Sequence, residues 1–424
     1  MPLMRAAFET YALKLLEHFR HVPDVRQGAN TMYPFPQLLM TALASFYSKA
    51  PSLRRFLGGF FEYRGIHGVD TLLSTLHSGP EATRISRRIP TDNHIRKQLD
   101  GVDPTTLFPA VWDLLHKIVT ESGELYRYKG MSIVVPFLGW HFTSRKIRCP
   151  VCISRVYPSE RKEDDVIENF HSFLGMTLHS PGGSGGHPQL PPEFLYAEDY
   201  PDVIPGFPFR TSRRNDAPRP NLGVALDRAL SRRGSEISML DPLFVLQGPF
   251  GTWKAATALK DHPYVLILNE QELERFHQGD RALAELAQGI HPKSHKDGTP
   301  YYSAVDLYVR NLGPILFERR LIPESCYLRL VEWRPMESPG SPDGRLKKPK
   351  PRAKVVFTTL PADLDRASGL VRLLSTVQTL DVLKSLEDEG FGYLKKFGHG
   401  QQTLTEVFCV LNAIAVNLDL INGL

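Results

Sequence analysis

Over the first third of the chain, apolar residues recur at helical spacing. Phe8, Tyr11, Ala12, Leu15, Leu16 and Phe19 trace one face of a first helix. Pro36 opens a second, with Leu38, Leu39, Ala42, Leu43 and Phe46 along one side. Proline in the first turn costs nothing there, because that N–H has no helical partner. Pro51 starts a third helix over SLRRFLGGFFEYR. Thr91-Asp92-Asn93 supplies cap chemistry for HIRKQLD, and Asp103-Pro104 opens TTLFPAVWDLLHKIVTES. Residues 1–125 therefore read as an all-helical N-terminal domain.

From Tyr126 onward the period shortens and β-branched runs take over. Strands are expected over 131–137, 141–147, 169–178 and 193–198. The stretch 128–152 reads as a hairpin that turns at Leu138-Gly139. A helix over 221–233, a strand over 242–247, a helix over 251–261 and a strand over 264–268 follow. That alternation predicts an α/β (mixed α+β) fold, a mixed sheet flanked by helices. The loop 180–192 is glycine-rich but lacks Gly-Lys-Ser/Thr, so it reads as a flexible connection and not as a phosphate cradle. Strand-like runs in about 270–365 suggest a β-rich insertion, interrupted by a Pro/Gly/Lys loop containing Lys347 and Lys348. Helices over 369–389 and 402–420 close the chain. The last is the most apolar segment, yet Glu406, Asn412, Asn417 and Asp419 make it too polar for a membrane span, so a helix buried in protein is expected.

Composition narrows the class without naming a function. The 424 residues carry 42% apolar and 23% charged residues, as ordinary soluble proteins do. A net charge of +5 and a pI near 8.9 fit a phosphate-backbone partner without requiring one. Four cysteines in so long a chain do not make a disulfide framework, which points to a reducing, cytoplasmic setting. The N-terminus shows no apolar signal region.

Three sets of residues carry candidate chemistry. Cys149-x-x-Cys152, with His171 and with His141 nearby, has the spacing of a structural Zn²⁺ site, or is a pair of reduced thiols at a strand end. Arg84, Arg87, Arg88, Arg96 and Lys97 edge the N-terminal helices, and with Lys347 and Lys348 they are candidate DNA contacts or a solvated basic rim. His399, in Gly398-His399-Gly400, reads as a phosphate contact or a turn histidine, and Cys326 and Cys409 read as core residues.

Four blocks in order, PTDNHIRKQLDGVDPTTL, the strand run with its Cys pair, NFHSFLGMTLHSP and FGHGQQTLTEVFCVLNAIAVNLD, resemble bacterial insertion-sequence transposases of the DDE type. The resemblance implies an RNase H-like catalytic domain over 126–424 and two Mg²⁺ ions about 3.5–4 Å apart, held by three carboxylates for in-line phosphoryl transfer. Carried over position by position, the first acid falls on Phe137, the second on Pro242 with Asp241 one residue early, and the third on Thr379 with Asp381 and Glu387 nearby. No Asp or Glu occurs between Glu124 and Glu160, so nothing can slip into the first position. The resemblance thus implies a DNA-binding transposase relative whose catalysis is lost. Its rivals are an active enzyme using displaced acids such as Asp241 and Asp381, and a protein-interaction module on the inherited fold. A homo-oligomer on DNA and no membrane contact go with the first reading.

Overall fold

The first seven helices share one apolar interior, and several of them are started by proline or capped by a side chain. A computed structural model describes residues 2–24, 26, 33–64, 67–76, 90–142, 152–157, 166–181, 186–204, 207–210, 218–259, 262–269, 271–272, 292–294, 300–308, 329–335, 354–360, 369–370, 373–374, 377 and 402–423. These helices are α1 (Pro2–His21), α2 (Phe35–Tyr47), α3 (Leu53–Gly58), α4 (Phe60–Arg64), α5 (His67–Thr75), α6 (Asp92–Leu99) and α7 (Phe108–Ser122). Ser52 Oγ accepts from the Arg55 N–H at 3.1 Å, and Thr91 Oγ1 from the His94 N–H at 3.3 Å. Each cap satisfies a donor that the first helical turn leaves without a partner.

The rest of the described chain forms β1 (Arg127–Tyr128), β2 (Met131–Phe142), β3 (Ile153–Tyr157), β4 (Val166–Leu178), β5 (Glu193–Leu195), β6 (Phe209–Arg210), α8 (Leu222–Ser238), β7 (Pro242–Leu246), α9 (Trp253–Ala258), β8 (Tyr264–Ile267), β9 (Pro292–Ser294), β10 (Pro300–Tyr308), β11 (Arg329–Pro335), β12 (Lys354–Thr358) and α10 (Gln402–Gly423). The strands join one mixed sheet in the order β6-β3-β4-β2-β7-β8-β12-β11-β10-β9. β5 pairs with β4 on the side away from β2, where β3 also lies. β2, β7 and β8 run parallel, while β4 is antiparallel to β2, β3 and β5. The mixed α/β sheet flanked by helices is therefore as expected, and the strand-rich run late in the chain extends it from β8 by antiparallel pairing.

Alternation along β2 divides the interior into two layers. Val134 faces the larger core, while Ile133 and Val135 face a second core with Leu243, Val245, Val265, Leu370, Leu373 and Val377. Covered on both faces, β7 carries apolar side chains at every position, the pattern of a buried parallel strand.

Three expectations are corrected. There is no turn at Leu138-Gly139, because β2 runs unbroken from Met131 to Phe142 and pairs with β4 from Val134 to Phe142. Gly139 lies directly opposite Phe173, whose ring occupies the space a Cβ would need. The reverse arrangement holds two rows away, with the Phe137 ring over Gly175. These two glycines make room for cross-strand aromatics and do not mark chain reversal. Second, the glycine-rich loop is held at its far end. Leu190 N donates to Met176 O, Gln189 N donates to the Asn417 side chain, and His187, Gln189 and Leu190 are buried. Third, the N-terminal helices lack a core of their own. α10, from the far end of the chain, fills their centre, with Phe408 edge-on to Phe46 at 5.4 Å. That helix is long and apolar enough to cross a membrane, and in this fold it is covered by protein along most of its length.

Candidate functional site

Parallel pairing of β2 with β7 decides which candidate residues can meet. Ser132 is level with Pro242, and Val134 with Phe244. Continuing that register three residues along extended backbone puts Phe137 level with Gln247, the first residue past β7. Gln247 is buried, and its Nε2 donates to the carbonyl of Val377 at 3.0 Å. Phe137, mid-way along β2 and only 4% exposed, thus stands level with the carboxyl end of β7, where Gln247 reaches the backbone of Val377. None of the three side chains can carry a negative charge.

Beyond Gln247 the chain turns sharply. Gly248 has φ +57, a backbone region open to glycine at no steric cost, and Gly251 packs directly on the carbonyl of Ile267 at the end of β8. This Gly-Pro turn closes over the ends of the two central strands.

Asp241 lies elsewhere. It is exposed, sits before β7 at φ +46, and accepts from the Ser132 N–H through its backbone carbonyl at 2.9 Å. That places it just before the amino end of β7, level with Met131 and six residues, or roughly 20 Å at about 3.3 Å per residue, from the level of Phe137. The structure does not bring Asp241 and Phe137 together. Thr379, Asp381 and Glu387 lie outside the described residues. Sequence matching missed Gln247. The readable signal was the Gly248-Pro249 turn directly after it, which marks the carboxyl end of the strand, where sites in open α/β sheets gather.

Cys152 and His171 do come together. Cys152 Sγ is 3.2 Å from His171 Nε2, and the two residues are 7% and 6% exposed. One row further along the same face, Ser154 Oγ donates to Asn169 Oδ1 at 2.7 Å, also buried. A polar strip therefore runs between β3 and β4. His141 is the register partner of His171 on β2, and Cys149 lies outside the described residues. Among the described residues, no group of three or more His, Cys, Asp or Glu side chains stands within metal-binding reach.

The basic candidates separate in the same way. Arg96 does not belong to a free basic edge, because it is 8% exposed, pairs with Asp92 at 2.6 Å and lies over the Phe408 ring. Lys97 is exposed, whereas Arg84, Arg87, Arg88, Lys347 and Lys348 lie outside the described residues, as do His399 and Cys326. Cys409 is a buried core thiol in α10, and burial pushes its pKa well up.

A larger charged cluster went unread in the sequence. Glu193 accepts from Arg228 at 2.6 Å, Arg232 at 2.8 Å and Arg233 at 2.8 Å, while Asp199 accepts from Arg228 at 2.9 Å. Hydrogen bonding to Asp199 raises the pKa of Arg228 further. Burial acts oppositely on Arg233, lowering its pKa against the attraction of Glu193. Arg233 also lies 4.5 Å over the Phe108 ring. The signal was present as Arg228, Arg232 and Arg233 on one face of a helix that follows an apolar-flanked Glu. Each of these charged groups has a protein partner, so the cluster ties α8 to β5.

Compared with known proteins, the chain matches no protein-family profile and no curated protein.

Proposed function

We propose that the chain is a DNA-binding relative of DDE transposases, built on an RNase H-like domain from which strand cleavage has been lost. The strand order supports the scaffold. Counting β2, β4, β5, β7 and β8 as first to fifth, and setting aside β3, which shares the outer edge of β4, these strands lie third-second-first-fourth-fifth, with first, fourth and fifth parallel. α8 precedes the fourth strand and α9 joins it to the fifth, as crossover packing in such a fold requires.

The observation that carries the loss of catalysis is the buried ring of Phe137, level with the carboxyl end of β7, at the position where the resemblance expects the first metal-binding acid. Mg²⁺ needs oxygen ligands, most of them anionic, and among the described residues at this level the Phe137 ring and the Gln247 amide do not supply them. The net charge of +5 supports a nucleic-acid partner through phosphate contacts, while the bacterial cytoplasm and the homo-oligomer on DNA come into the proposal from the resemblance alone.

The test is a pair of measurements on the full chain with duplex DNA carrying the sequences that flank its gene. No cleavage is expected with Mg²⁺ or Mn²⁺, and binding should weaken more than tenfold between about 50 and about 200 mM salt. Metal-dependent cutting that is abolished by Asp241→Asn or Asp381→Asn would restore the enzyme. Absence of binding at low salt would remove DNA as the partner and leave an interaction module.

A further inference from the structure

We infer that the turn over residues 204–207 is an apolar wedge, with Ile204 and Phe207 entering duplex DNA between two base pairs and Arg210 beside them on a flanking phosphate. This rests on the DNA-binding reading above and names the part of the chain that meets the bases.

Single apolar side chains on a surface are ordinary, but two large ones in one tight turn are not. Ile204 is 67% exposed and Phe207 68% exposed. The Phe207 N–H donates to the Ile204 carbonyl at 3.0 Å, which closes a four-residue turn and brings the two residues together. In the sequence Pro205-Gly206 stands between them, a pair that tight turns favour, and Pro208 follows. The turn is held out from a fixed base. On the approach, Asp199 is bound by Arg228 at 2.9 Å and the Tyr200 hydroxyl is bonded to the buried Ser172 hydroxyl. Val203, 8% exposed, donates through its N–H to the Tyr200 carbonyl at 3.0 Å. On the exit, β6 pairs with β3, and Phe209 packs against the main core. A partner therefore meets Ile204 and Phe207 already positioned, so little conformational entropy is lost on binding.

Charge selects the partner. Over 203–215 the sequence carries Arg210, Arg213 and Arg214 and no Asp or Glu. Arg210 is exposed at the end of β6, three residues beyond Phe207, or roughly 10 Å at about 3.3 Å per residue. Duplex DNA carries a negative charge about every 1.7 Å along its axis, so a guanidinium at that distance from an inserted ring meets a phosphate. A second copy of the chain would instead bring its own three arginines against these. The side chains select the mode of contact. Phe, Ile and Pro are residues that minor-groove binders push between base steps, unstacking them and kinking the duplex by about 20–90°. Ile204 has no π face, so the pair suits a wedge better than a platform for stacked single-stranded bases.

The experiment mixes the full chain with a short A·T-rich duplex that carries 2-aminopurine, a base that fluoresces more strongly when unstacked, and a dye at each end. The wild-type chain should brighten the 2-aminopurine and draw the duplex ends together. Phe207→Ser and Ile204→Ser should each abolish the brightening and weaken binding by about fivefold or more, the loss expected for one side chain inserted among the bases. Arg210→Gln should lower the slope of log affinity against log salt by about one unit. Phe61→Ser, at a ring in α4 that is 82% exposed, should leave the fluorescence unchanged. All four positions are exposed, and far-UV circular dichroism checks that each variant folds. Duplex binding without brightening, brightening that survives in both serine variants of the turn, or an equal loss in Phe61→Ser overturns the wedge and leaves the DNA reading standing. Absence of duplex binding at low salt removes both. Self-association, or capture by phosphatidylglycerol vesicles, that Phe207→Ser abolishes while the 2-aminopurine signal stays assigns the turn to a second copy or a membrane and also overturns the wedge.

Discussion

A methyl group added at Gly139 would fall inside the ring of Phe173, and one added at Gly175 inside the ring of Phe137. The two rings meet edge to face at 5.9 Å, so neither can move aside without disturbing the other. Gly139→Ala should therefore destabilise the protein by roughly 1–3 kcal/mol, the usual cost of overpacking a filled core. Trimming the ring tests the cause. In the background of Phe173→Leu the same glycine change should cost clearly less, measured by urea denaturation of the four proteins in the cycle. Equal costs in both backgrounds would mean that backbone entropy and not the ring sets the effect. At this scale the sequence misled for a physical reason. Glycine beside Leu138 looks like a turn when only neighbours along the chain are visible, while its partner, Phe173, lies 34 positions away. Phe137 was legible as part of an apolar strand, but the filled space above Gly175 was not.

Between elements, the strongest local tie is the charge cluster that joins α8 to β5. Glu193 is 2% exposed and faces three arginines, of which Arg233 is 8% exposed and Arg232 63% exposed. Removing the acid leaves the buried Arg233 guanidinium without its paired counter-charge, whereas removing Arg232 leaves Glu193 with two partners. Glu193→Gln should cost about 3–5 kcal/mol, as breaking a buried pair from one side does. Arg232→Ala, acting on an exposed pair, should cost no more than about 1 kcal/mol. Urea midpoints of the two variants decide it, and similar losses would show that the cluster is held by packing, not charge. The elements themselves were well marked in the sequence. The caps at Thr91 and Asp103 sit where the cap chemistry put them, and strands over 131–137, 242–247 and 264–268 each lie on observed strands. What was hidden is pairing. Which end of β7 meets Phe137 follows from a parallel register, and local periodicity carries no information about it.

At the scale of the whole molecule, the change of period near Tyr126 marks a change of secondary structure and not a boundary between cores. The reason is α10, a segment nearly 300 residues later in the chain. It packs between the N-terminal helices through Phe46 and through Asp100, which accepts from the Leu404 N–H at 3.3 Å. On the sheet side, Tyr196 donates to Glu406 at 3.0 Å, and Asn417 exchanges two hydrogen bonds with the backbone of Gln189, at 2.7 and 2.9 Å. One helix thus belongs to both layers, and neither can lose it without exposing apolar surface. Unfolding of the helical layer and of the sheet should therefore be a single cooperative event. Fluorine-labelled tryptophan provides a reporter in each part, Trp112 in α7 and Trp253 in α9, and their native signals should vanish at the same urea concentration. Asn417→Leu leaves a buried donor and acceptor of Gln189 without partners, at about 1–3 kcal/mol for each. It should lower both midpoints by the same amount. A variant in which the Trp253 midpoint falls while that of Trp112 stays would show that the helical layer folds as its own domain after all, and that α10 is only a guest in the sheet.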